Sequence, residues 1–566
     1  MIRFLIASLI CCLAMASGVS QTMDSALYRV ETYASGIANP ACFVFVSPTK
    51  MLVCEKQTGR VTIWDNGVYS GSAALDVSVA NSGEEGLLGI CLDKDFALNG
   101  YVYLFYSKAA TDGGSWQEDR TERYFWNGST LVFVNLVFST PFDSTQQNPN
   151  VHHGGYIKCG PDGKVYIWGG ELTRGRTSNP RIEQNTSASA VAGAGAIYRL
   201  NPDGTIPIDN PFTFHPNPHI QATWIYGVRN GFGFEFDPLT NYFWFTDNGP
   251  DSYDELNLGF AGMNGGWLKI MGPDIRDATY SDNNFTSYNA SDLVYLTGAV
   301  YSDPKFSWLS PIGVTCVAFL SSYKFDGSDR YKMVVGDVNL NQLYLFSFKD
   351  SNRNALFYLP GTSDGVADNA AERDQYRFGY GFGGVTDARI GPDGLLYICD
   401  IYNGRIYRIR PVFEPVAPET VQLEYGTQIS GSLGSFVESD DDKYGVRALY
   451  QVGGLHPPIR YELAAHAPVS STTDLRLQIE SSCDSPNIVQ TVELFNVQTQ
   501  AYETVDTRSS PQFDVAFEVQ ISGSDSRFID PATRLMKARV SFKQSGATLN
   551  LNWRGFVDKF WWKVQS

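Results

Sequence analysis

The sequence has no long periodic helical stretch and no apolar run long enough to cross a membrane; the run among its first residues is too short to do so. A surplus of positive charge is missing too. There are 43 Lys and Arg against 60 Asp and Glu, leaving a net charge of −17 and a pI near 4.8. A chain this acidic is a poor partner for nucleic acid or an anionic membrane surface; it suits neutral ligands and bound cations better. Paired cysteines are also lacking. Of nine, Cys11 and Cys12 fall in the N-terminal apolar run. The other seven (Cys42, Cys54, Cys91, Cys159, Cys316, Cys399 and Cys483) are scattered without paired spacing, mostly inside strand patterns. That is no disulfide framework, and buried thiols are expected. Cys42 and Cys54, on neighbouring strands, are the main pair placed to bridge.

What is present begins with Arg3, an apolar run from Phe4 to Leu13, and Ala14-Met15-Ala16. This order predicts a secretory signal peptide over residues 1–16, and so a secreted or periplasmic protein. At 566 residues, two domains are expected. Aromatics at 14%, with 53 Gly and 27 Pro, point to many short strands separated by turns.

One stretch serves as a template: Tyr226 to Leu256, YGVRNGFGFEFDPLTNYFWFTDNGPDSYDEL. Phe232 to Phe236 alternates as a strand, Asp237-Pro238 opens a turn that closes at Asn241, and Tyr242 to Thr246 is a second strand. The same plan recurs at Phe43 to Glu55, Leu88 to Tyr106, Tyr156 to Glu171, Val317 to Asp337 and Ala388 to Asp400. A third strand such as RVTIWD or GRIYRIR can follow. Six unequally spaced copies predict a six-bladed β-propeller over residues 28–411, since a propeller tolerates long loops at its rims. Val412 to Thr420 reads as a linker. Residues 421–566, β-rich but without the repeat, read as a β-sandwich accessory domain. The fold class is all-β. The acidic run Glu438 to Asp442 reads as a solvated loop, with a calcium loop as the sharper alternative.

A tight hairpin brings the residues before its first strand and after its second to one edge. Arg229 and Asn230 are therefore expected beside Asp247, Gly249 and Pro250. The same geometry sends Glu84 and Glu85, His152 and His153, and Gly383 to Asp387 to that rim, where Glu171, Asp247, Asp337 and Asp400 also arrive. A histidine among carboxylates at a propeller mouth can serve as a general base. Gly154-Gly155 leaves space beside His152.

The segments GEEGLLGICLDKDFALNGYVY, HHGGYIKCGPDGKVYI, GAIYRLNPDGTIPIDNPF, YGVRNGFGFEFDP and DNGPDSYDELNL stand in this order. Over roughly residues 28–411 they resemble the glucose/sorbosone dehydrogenase family, six-bladed propellers of which many use pyrroloquinoline quinone (PQQ) with calcium to oxidise aldoses. The hedgehog-interacting protein group shares the propeller. The resemblance implies His152 as the base that takes the C1 hydroxyl proton, with Glu171 near it. It implies Arg229 and Asn230 beside the cofactor, Glu84 at the substrate site, and the carbonyls of Gly249 and Pro250 as calcium ligands. It also implies a small-molecule sugar substrate and a separate electron acceptor.

The chain departs from the family where the three PQQ carboxylates meet basic residues. Val338 to Gln342 and Gly384-Val385-Thr386 stand there, none of them basic. Arg174 and Arg176, on a blade-three loop, are candidate substitutes. Two rival readings follow: a non-catalytic propeller that binds a protein or glycan, and a calcium-dependent lactonase, which needs several side-chain oxygens around one ion.

Overall fold

A computed structural model describes residues 21–141, 150–172, 181–186, 194–277, 288–325, 327–450, 456–521, 523, 525–546 and 552–565. The expected signal segment and the loop carrying Arg174 and Arg176 lie outside these residues. Each sequence repeat is the inner antiparallel pair of one sheet. The pairs are Pro40–Phe45 with Lys50–Glu55, Leu87–Leu92 with Tyr101–Ala109, and Gly154–Cys159 with Val165–Gly169. Phe234–Phe236 with Phe243–Asp247, Val314–Phe319 with Met333–Asp337, and Val385–Ile390 with Leu396–Asp400 complete the set. Third and fourth strands widen each pair, giving six blades.

The turns form for local reasons. In Gly160-Pro161-Asp162-Gly163 and Gly391-Pro392-Asp393-Gly394 the Asp carboxylate accepts the amide two residues on, at 3.0 and 3.1 Å. The second Gly of each takes a positive φ (+75° and +79°). Inner strands lose the one-sided alternation because neighbouring blades cover both faces. Val314–Phe319 is buried at every position. Apolar side chains of one sheet meet those of the next: Val44 and Leu52 of blade one lie in one cluster with Ile90 and Leu104 of blade two. Each such side chain contributes about 1.5–3 kcal/mol on burial. The outer strand of the sixth blade comes from the other end of the chain: Tyr28–Ser35 pairs antiparallel with Arg405–Pro411 and closes the ring.

The C-terminal region is a sandwich of two antiparallel sheets around its own core. The expected linker is corrected by the strand pairing. Phe413–Val416 is a strand on Trp562–Gln565, and Thr420 already begins the next strand. A Pro- and Glu-bearing stretch reads as loop in sequence, but here it is an edge strand whose partner lies some 150 residues downstream. Glu414 on it is 5% exposed and ties the two parts together. It accepts from Lys324 Nζ at 2.8 Å and from Arg410, whose Nε lies at 3.0 Å. These cations hold its carboxyl below the usual range despite burial. Cys42 and Cys54 do face each other across the first hairpin, but both are free thiols.

Candidate active site

The template hairpin is tied at both ends. At the turn, the Asp237 amide donates to Tyr242 O and the Asn241 amide to Asp237 O, both at 2.8 Å. At the rim, Asp247 accepts the backbone amides of Arg229 (2.8 Å) and Asn230 (2.7 Å). Burial pushes the Asp247 carboxyl up to about 7, against the pull of those amides and of Arg229. The carboxylate that ends the second strand thus fixes the cation and amide that precede the first.

His152 arrives from the blade-three entry in a left-handed conformation, φ +57°. Its amide donates to Glu84 Oε2 at 2.7 Å, and the same oxygen accepts Asn230 Nδ2 at 3.0 Å. Its carbonyl presses on Gly170, where a Cβ would come within 1.9 Å of that oxygen, so only glycine fits there. The ring is held from both sides. Nδ1 meets the fully buried Glu171, and Nε2 lies 3.1 Å from Arg229 Nη2. A guanidinium only donates, so Nε2 is the accepting nitrogen and the ring proton sits on Nδ1 toward Glu171. Gln184 Nε2 steadies the far oxygen of Glu171 at 2.8 Å. His153 faces the other way, fully buried. Its Nδ1 contacts Asp119 at 2.9 Å, and its ring packs edge-on against Trp116.

Arg229 links the base to the Asn248–Gly249 corner. Its Nη1 donates to Asn248 O (2.8 Å) and Gly249 O (3.1 Å), and its guanidinium lies 5.3 Å from the Trp267 ring. The Gly249 carbonyl, expected to be free for an ion, already has a cationic partner. Asp254 sets the corner: Oδ1 accepts the Gly249 amide, and Oδ2 accepts those of Ile312, Gly313 and Val314. Arg229 Nε and Asn230 Oδ1 are buried without a hydrogen-bond partner among the described residues. Such orphans cost about 1–3 kcal/mol each unless a ligand satisfies them.

The adjoining mouth is a cavity of about 350 Å³, lined by Lys56, Glu84, Gly154, Thr315, Val338 and Thr386 among others. The structure thus gathers His152, Glu171, Arg229, Asn230, Glu84 and Gly249 into one hydrogen-bonded group. Asp337 and Asp400 instead serve their own loops, accepting the amides of Leu340 and Asn341, and of Gly383 and Asn403. Sequence reasoning missed Lys56, whose Nζ donates to Gly83 O and Glu85 O at 2.8 Å. It also missed Gln184, which lies in an insertion outside the repeat.

The sequence profile of the glucose/sorbosone dehydrogenase family matches residues 37–408. The chain belongs to this family. Escherichia coli aldose sugar dehydrogenase YliI is 25% identical over 391 residues, 68% of this chain and 94% of that protein. Quinoprotein glucose dehydrogenase B of Acinetobacter calcoaceticus is 28% identical over 272 residues, 45% of this chain and 55% of that protein. The structure of soluble aldose sugar dehydrogenase from Escherichia coli in its apo-form superposes with a TM-score of 0.51 at 22% identity, covering 68% of this chain and 99% of that one, a likeness of fold. As a glucose/sorbosone dehydrogenase family member, the chain has a mouth that can be tested for PQQ. The orphaned Arg229 Nε and Asn230 Oδ1 suit a polar quinone edge. The carboxylate end is met more weakly: Val338 and Thr386 line the cavity where the family resemblance expects cations, and Lys56 is the one basic lining residue among the described residues. Among the described residues no three His, Cys, Asp or Glu side chains converge on a metal position, so calcium at the mouth would depend on backbone carbonyls.

Proposed function

We propose that the protein is an exported sugar dehydrogenase that oxidises the C1 hydroxyl of an aldose, with PQQ and calcium at the propeller mouth. The observation that carries this is the His152–Glu171–Arg229 chain, in which the accepting Nε2 of a buried imidazole is aimed beside unsatisfied polar atoms. His152 Nε2 takes the hydroxyl proton when substrate displaces Arg229 Nη2 from it. Glu171 then holds the imidazolium that results, and Gln184 keeps Glu171 in place. Glu84 positions the sugar and steadies His152 and Asn230. PQQ, when bound, supplies a quinone that accepts a hydride from C1. Arg229 and Asn230 would face that group; Lys56, Thr315 and Thr386 would face its carboxylates. The carbonyls of Gly249 and Pro250 are the oxygens offered to calcium, and loading requires the Arg229–Gly249 hydrogen bond to yield. A separate electron acceptor completes the cycle.

The test is a PQQ titration of the purified protein with calcium, followed by absorbance, and then turnover of an aldose panel with an artificial acceptor. Saturable binding with turnover is expected. Binding and turnover both absent would favour a second reading, a propeller that binds a protein or glycan without catalysis. That reading draws on the uncharged Val338–Thr386 wall.

A further inference from the structure

A buried acid far from the propeller mouth lies under the loop Glu438–Asp442 of the C-terminal sandwich. Asp558 is 2% exposed and occupies a β-bulge: Glu480 pairs with Lys559 and Ser481 with Val557, leaving Asp558 as the extra residue. Bulges re-aim side chains. This one turns the carboxylate toward the loop, where Oδ2 accepts the Asp441 amide at 3.1 Å. Oδ1 is buried with no hydrogen-bond partner among the described residues. Burial raises the Asp558 carboxyl, and the charges of Glu480, Asp440 and Asp514 push it the same way. Lys443, beside the loop, is committed to Asp514 and to Asp441 at 3.0 Å. The loop is shaped by its own contacts: Asp441 takes φ +68°, the Asp442 amide donates to Asp440 Oδ1, and Ser435 Oγ donates to Asp442 Oδ2.

We propose that Asp558 and the loop Glu438–Asp442 form a calcium site, with Asp558 Oδ1 as its anchoring ligand. Calcium takes six to eight oxygens in flexible geometry, including backbone carbonyls and water. A preformed trio of carboxylates is therefore not required. Asp440, exposed on the loop, closes over the ion from the solvent side, and Asp514 and Glu480 supply the surrounding negative field. The choice of a divalent cation follows from the geometry: a buried carboxylate oxygen left without a donor, under a loop that carries Asp440, is satisfied by a cation that the exposed Asp440 can also reach. Glu438 of the same loop pairs with Arg330 of the propeller at 2.5 Å. An ion here would stiffen one of the ties between the two domains.

The full chain, stripped with chelator, is titrated with terbium and then with calcium. Trp561 on the same strand can sensitise the emission. Calcium should displace terbium, and Asp558→Asn and Asp440→Asn should each weaken both titrations at least tenfold with circular dichroism unchanged. Asp440 is exposed, so its variant stays informative if Asp558→Asn fails to fold. Terbium emission that calcium does not displace, or that Asp440→Asn leaves unmoved, overturns the site.

Discussion

The two sides of the propeller mouth are built differently. On the side of blades three and four, a chain of hydrogen bonds links the polar groups: Glu84 holds His152 and Asn230, Asp247 holds Arg229 and Asn230, and Glu171 and Arg229 hold the imidazole between them. On the side of blades five, six and one, Val338, Thr386, Ile401 and Tyr402 stand with Lys56 as the one lining cation among the described residues. The first side can organise a proton transfer before any ligand arrives; the second offers shape and little charge. The difference teaches that proton handling and ligand grip are separable in this fold. Strand ends and buried carboxylates set the first, and a few lining side chains set the second.

The comparison breaks most visibly at the base. His152→Ala should lower kcat by roughly 10²–10⁴-fold on aldoses with PQQ and calcium supplied, the usual contribution of a general base. His153→Ala, behind it against Asp119 and Trp116, should cost far less turnover. Equal losses would mean that the first side is scaffold and not chemistry.

The second side can be sharpened by restoring charge. Val338→Lys and Thr386→Arg each offer a charge-assisted hydrogen bond worth about 1.5–3 kcal/mol, so PQQ affinity should rise roughly ten- to hundredfold per site. Absorbance titration reads this directly. A flat response would show that grip is limited by cavity shape. Calcium at the mouth is a smaller lever. In an Asp440→Asn background, where the sandwich site is weakened at least tenfold, chelation should lower Tm and low added calcium should restore it through the mouth, as linkage requires. No shift in that background would remove calcium from the Gly249–Pro250 corner.

The least effect is expected from Glu183, one residue before Gln184 on the ordered side. Its carboxylate oxygens are buried with no hydrogen-bond partner among the described residues, and burial raises its carboxyl to about 8 against the pull of Arg181. A raised carboxyl contributes stability that is fully present below the unfolded value near 4 and is lost as pH rises through 8. Glu183→Gln removes that dependence. The wild type should therefore lose a few degrees of Tm relative to the variant between pH 6 and 9, and parallel curves would argue that the carboxylate is compensated.

Much of this was legible in the sequence because the hairpin repeats. The alternating aromatic strands and Pro-Asp-Gly turns located all six inner pairs. The rule that hairpin ends share an edge brought Arg229 to Asp247. What escaped detection lacks a local signal. Gln184 belongs to an insertion whose sequence carries no repeat. Tyr28–Ser35 finds its partner some 370 residues away, and Phe413–Val416 pairs with the far C-terminus, so neither resembles the strand it becomes. The Gly249 carbonyl lies at the rim beside Arg229, and the hydrogen bond between them is a side-chain contact that spacing does not report.

The closing strand has a consequence for how the molecule comes into being. Tyr28–Ser35 is synthesised some 370 residues before the edge it completes, Arg405–Pro411. Until then the first segment waits as an unpaired strand and blade six lacks its rim. A ring closed in this way is assembled late, against a large loop-closure cost. Substitutions that weaken the pairing of Tyr28–Ser35 should slow ring closure in a newborn chain far more than they loosen a finished one.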